Sequence, residues 1–129
     1  MSRAAIAIVL IHLLISLVHG AAHNALLITL SSWQNVYVLT MITILPLVAA
    51  VLIWRRRSVG FVLLFLSMFG SLIFGVYYHF IFVSPDNVDH LPHHTWTVPF
   101  QLTAWLLAIS ETAGVVIGMR GATRRGVNV

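Results

Sequence analysis

The chain has 129 residues, of which 60% are hydrophobic and 8% charged, and its net charge of +4 arises from seven arginines, no lysine and three acids. Soluble domains run near 25% charged, and a core of this size cannot hide so much apolar surface from water, so an ordinary soluble domain is excluded. The lack of cysteine excludes disulfides, thiolate metal sites and thiol catalysis. The arginines stand at segment ends rather than along one face, which speaks against nucleic acid as a partner.

The apolar runs are continuous rather than alternating, so helices and not barrel strands are expected. Four spans are expected, at about 4–30, 36–54, 59–82 and 97–119, each near or above the ~20 residues that cross ~30 Å of hydrocarbon. The fold class is therefore an all-α membrane protein, a single four-helix domain over 1–129. Short links predict sequential antiparallel neighbours in an up-down-up-down bundle.

The first span carries His12, His19 and His23 at spacings of seven and four, on one helix face together with Ser16. Ionisable residues within a membrane usually face the bundle interior and are functional candidates. His19 and His23, at i and i+4, form a pair that can share one metal ion. Hydrogen bonding between helices explains such histidines equally well. Met1-Ser-Arg3 followed by an apolar stretch also resembles a secretory signal, with small residues at Ala21-Ala22. The apolar run through Leu30 favours a span that is kept.

The second span holds Pro46, which predicts a kink, and it ends at Arg55, Arg56 and Arg57. With Arg3 at one end and Arg120, Arg124 and Arg125 at the other, and no arginine in the remaining links, the positive-inside rule puts both termini in the cytoplasm. Trp33, Tyr37, Tyr77, Tyr78 and Trp96 form an outer aromatic belt in this orientation, and Trp54 an inner one. A bacterial inner (plasma) membrane is the expected location.

In the third span Ser67, Ser71, Gly75 and His79 repeat every four residues, a stripe of small residues that predicts close helix contact and turns His79 toward a neighbour. Counting ~1.5 Å per residue places His79 within a few ångströms of the depth of His23. The outer loop, 83–96, gathers Asp86, Asp89, His90, His93 and His94, and its two prolines, Pro85 and Pro92, limit its freedom. Imidazole with carboxylate suits zinc, copper, iron or nickel. A solvated polar loop is the plain alternative for each of these residues.

The fourth span contains Glu111, the one acid inside a span, ~20 Å from the outer end. A buried carboxylate is costly unless neutral or paired, and its depth predicts a hydrogen bond to His12 or His19. Gln101, Ala104, Ala108 and Glu111 follow a spacing that sets them on a packed seam. Beyond Met119 the tail is polar and expected to fray.

Three functional classes follow. The first is a metal- or haem-binding protein with its site in the outer half of the bundle. For a transition metal ion (zinc, copper or iron) the ligands are His19, His23 and His79, with Asp86, Asp89, His90, His93 or His94 completing the shell and His12 or Glu111 orienting ligands. Such a site is catalytic if one coordination position is open to water. For haem b, His79 and one histidine of the first span are axial ligands, and electron exchange with a quinone is the expected role. The second class is an accessory or assembly subunit of a larger membrane complex or a homo-oligomer. The third is a proton path through His12, His19, His23 and Glu111. No zinc-protease, phosphate-loop or nucleophile-elbow motif is present. Four spans without an inverted repeat do not suggest a transporter core.

Overall fold

The computed structural model describes residues 1–126. They form four long helices with no strand among the described residues: α1 (Ser2–Ala25), α2 (Ser32–Trp54), α3 (Val59–Ile81) and α4 (Thr97–Gly126). All four are long and apolar enough to cross a membrane, which fits a membrane protein. Their outward faces carry exposed Leu10, Leu14, Leu66, Ile73, Trp105 and Ile109. Apolar area on this scale is stable against lipid rather than water.

Three boundaries differ from the sequence expectation. α1 stops at Ala25 rather than continuing to residue 30. Its last carbonyls are taken by a Schellman turn, in which Ile28 N–H donates to His23 O and Leu27 N–H to Asn24 O. Leu27 holds the left-handed position (φ 56°) that glycine normally occupies, so nothing in the local residue types announces the stop. α2 starts at Ser32 rather than 36, behind a capping box in which Ser31 Oγ accepts from Gln34 N–H while the Gln34 side chain accepts from Ser31 N–H. α4 continues past Met119 to Gly126, where Gly121 lies against Phe61 of α3 and Ala122 packs against the core at that end; the rest of the tail lies outside the described residues.

Pro46 widens α2 over residues Val38–Ile44 into π-helical turns. Proline has no N–H, so the carbonyls it would have served, those of Ile42 and Met41, need other donors. His12 Nε2 of α1 lies 3.2 Å from Ile42 O, and Ser71 Oγ of α3 lies 3.3 Å from Met41 O. Neighbouring helices thus satisfy what the proline frees, as lipid requires. A second π-helical turn, Tyr77–Ile81, ends α3 and carries His79.

α4 packs along both α1 and α3, and α2 packs along α3. At one end Ala5, Val9, Ala49, Ile53, Phe61 and Leu64 form a core; at the other, Ala22, Leu26, Val88, Phe100 and Ala104 form a second. The α3–α4 approach depends on Gly118, where a Cβ would stand 2.6 Å from the Phe65 main-chain nitrogen. The segment between α3 and α4 folds back over the second core, with Asp86, Asn87 and Val88 buried. Val88 N–H donates to His79 O, and the Gln101 side chain donates to Val88 O. This loop end of the bundle carries the candidate site.

Candidate metal centre

α1 presents His19 and His23 from successive turns, and the widened last turn of α3 presents His79. One ring nitrogen from each lies within 4.8 Å of the others. His19 and His79 are buried, and the His23 side chain keeps 12% of its exposure. The three rings surround Phe100 of α4, with centroids 4.5, 5.0 and 5.5 Å from it for His19, His23 and His79. Phe100 is fully buried, so it forms a fixed apolar floor beneath the imidazoles.

The partners of the outer ring nitrogens assign the tautomers. His19 Nδ1 is 2.8 Å from Thr103 Oγ1. The one hydroxyl hydrogen of Thr103 serves the carbonyls of Pro99 and Phe100, 2.7 and 3.0 Å away. Its oxygen therefore accepts from His19 Nδ1–H, and His19 Nε2 keeps a free lone pair. His79 Nδ1 faces the Asp86 carbonyl at 3.0 Å and the Asp86 carboxylate at 3.2 Å, both acceptors. It too carries its proton on Nδ1 and a lone pair on Nε2. His23 Nε2 faces Asp86 Oδ1 at 3.1 Å, which leaves His23 Nδ1 with the lone pair, buried and without a hydrogen-bond partner.

The two Nε2 atoms with free lone pairs, of His19 and His79, stand 3.2 Å apart. Two acceptors at that distance repel unless a cation lies between or beside them. His19 and His79, each with Nδ1 held by a hydroxyl or a carbonyl and Nε2 turned to the other, have the arrangement that outer partners impose on metal-bound histidines, and His23 stands beside them. Asp86 supplies the negative charge. Burial alone would raise its carboxyl, but the imidazoles of His23 and His79 beside it hold it below the usual carboxylate range.

A cavity of about 630 Å³ adjoins the three histidines. Glu111 of α4 lines its deeper part, buried and without a hydrogen-bond partner among the described residues. The bond expected between Glu111 and His12 or His19 does not form. His12 is committed to Ile42 O and to Ser110 Oγ, 3.3 Å away, and His19 to Thr103 and His79.

The remaining sequence candidates lie outside the three-histidine group. Asp89, His90, His93 and His94 are exposed on the loop. His90 Nδ1 donates to Asn87 Oδ1 at 3.2 Å, and His94 Nδ1 accepts from Trp96 N–H at 3.2 Å. Of these loop candidates, Asp86 alone sets its side chain against the histidines. Thr103 and Phe100 were not foreseen. Thr103 is detectable as a lone hydroxyl in an apolar run, whereas nothing in the sequence distinguishes Phe100 from other span aromatics.

No family model matches the chain, and no curated protein or solved structure is similar to it. The geometry of the site is therefore the basis for any functional reading.

Proposed function

We propose that this chain is an integral membrane protein that binds one transition metal ion through His19, His23 and His79. In this reading the chain crosses the bilayer up-down-up-down with both termini cytoplasmic, in a bacterial inner membrane, and the site lies in the outer half of the bundle. The observation that carries the proposal is the convergence of one ring nitrogen from each of His19, His23 and His79 within 4.8 Å, with His19 Nε2 and His79 Nε2 3.2 Å apart. Three neutral imidazoles suit zinc, copper or iron. With three protein ligands and a cavity that all three line, the ion would keep a position for water or a substrate, the form that reactive rather than purely structural sites take. Asp86 orients His23 and His79 and offsets the charge of the ion.

Haem b is less well supported. Axial histidines must leave a slot for the porphyrin between their rings, and here the two nitrogens touch. A second ionic reading is a proton shared between His19 Nε2 and His79 Nε2. It fits the same distance, but it does not explain the buried lone pair on His23 Nδ1.

The test is purification of the full chain in mild detergent without chelator, with elemental mass spectrometry and a visible spectrum on one sample. About one metal ion per chain, lost in His79→Ala, is the expected result. A Soret band would replace the ion with haem. Folded protein with neither metal nor pigment overturns the proposal in favour of the proton pair or of an accessory subunit without chemistry.

A further inference from the structure

The cavity is larger than one ion and its water require. At about 630 Å³ it lies within the ~300–1,000 Å³ of small-molecule sites. Its walls are mainly apolar, with Leu17, Val38, Ile42, Phe74 and Leu107 among them; Ser16, Asn24, Thr29 and Asn35 add neutral polar groups, and the ionisable groups stand at two places. One is the histidine cluster. The other is Glu111, whose carboxyl is bonded to no protein group among the described residues. Gly75 separates them: a Cβ there would lie 3.6 Å from Glu111 Oε2 and 3.9 Å from His79 Cδ2. The missing side chain keeps a passage open between carboxyl and imidazole.

The cavity also has a side opening. α1 packs against α4 and the Leu45–Trp54 half of α2, while Ser16, Leu17, Gly20 and Ala21 on one side and Asn35 and Val38 on the other line a gap beside the loop-end half of α2. Leu17, Gly20 and Ala21 are exposed, and a Cβ on Gly20 would meet nothing within 4 Å. Gly20 lies five residues inside the end of α1, roughly 8 Å along the helix. In the membrane orientation proposed above, a gap between helices at this depth would face lipid acyl chains.

We infer that the cavity takes up, from the bilayer, an apolar molecule bearing a carbonyl or carboxylate oxygen. Its head lies between the three-histidine site and Glu111, and its tail leaves through the gap between α1 and α2. The inference deepens the metal-site reading and rests on it for one end of the ligand. Glu111 at the other end, kept neutral by donating to that oxygen, gains the partner it lacks. Leu17, Gly20, Ala21 and Val38 give the gap the apolar stretch that a hydrocarbon tail would follow. The shared chemistry has two sources in a membrane, free fatty acids and isoprenoid quinones.

The experiment uses the full chain in lipid nanodiscs with three probes: palmitate, decylubiquinone and hexadecane. Binding is read by equilibrium titration, and metal content on the same sample. Saturable binding near one per chain is expected for palmitate or decylubiquinone and not for hexadecane; whichever binds identifies the source. Gly20→Leu, which fills open space at the mouth, and Gly75→Ala, which narrows the passage at ordinary contact distance, should each weaken binding at least tenfold with metal content unchanged. Glu111→Leu should do the same. Metal without binding of either oxygen-bearing probe, equal binding of hexadecane, or wild-type affinity in Gly20→Leu and Gly75→Ala overturns the inference. Saturable binding weakened by these variants in a metal-free protein supports the cavity site and overturns the metal reading instead.

Discussion

Asp86 is the residue on which the three histidines depend most directly. Its carboxylate faces His23 Nε2 and His79 Nδ1, and its own carbonyl accepts from His79. Asp86→Asn keeps the shape but removes the charge and offers an amide whose N–H₂ cannot accept. Loss of such an outer partner costs roughly 10–100-fold in metal affinity, and competition with a chelating dye would measure it. Thr103→Val removes the acceptor of His19 Nδ1–H and should fall in the same range, ~10-fold. His90→Ala, His93→Ala and His94→Ala alter exposed side chains outside the cluster and should leave metal content unchanged. A loss in any of the three would bring the loop into the ligand shell.

Pro46 shows how an element's irregularity becomes a link between helices. A π-helical stretch follows from the missing N–H, and the freed Ile42 and Met41 carbonyls then bind His12 and Ser71. His12→Leu should destabilise the bundle by about 1 kcal/mol, in the range of hydrogen bonds between membrane helices. In a Pro46→Ala background the carbonyl regains a donor, so the same change should cost clearly less. Full additivity in this double-mutant cycle would refute the coupling. The turn after α1 offers a gain instead. Leu27 occupies a left-handed conformation and is 85% exposed, so Leu27→Gly relieves strain of about 1 kcal/mol. A rise in the thermal midpoint in detergent is expected.

At the scale of the whole molecule, the bundle is held by close backbone approach where the site is not. Gly118 meets the main chain of Phe65, while the gap beside α1 at the loop end is left open. Gly118→Leu must therefore push α3 from α4. Overpacking of this kind typically costs ~1–3 kcal/mol or more where backbone rather than a flexible side chain is struck. The check is loss of monodisperse protein in size-exclusion chromatography, against retention in Gly20→Leu. The bundle is thus tightly packed at one end and holds an open cavity beside the three histidines at the other.

Much of this was legible in the residues. Continuous apolar runs determined four spans, because lipid admits only helices whose backbone groups are satisfied internally. Spacings of four gathered His19 and His23 on one face and placed His79 on the Ser67–Ser71–Gly75 stripe, because helical periodicity is local. The capping box Ser31–Gln34 was present in the sequence as well, although the apolar run around it hid the break between α1 and α2. Tertiary structure alone decided the rest. That Asp86 turns inward while Asp89, His90, His93 and His94 stay in solvent depends on Val88 docking beside Phe100, a contact without periodicity. That His12 serves a carbonyl rather than Glu111 depends on the register of α1 against α2. Which nitrogens keep free lone pairs depends on acceptors contributed by α4 and the loop. Helical spans arise from interactions within a few residues, whereas a site is set by how distant segments meet.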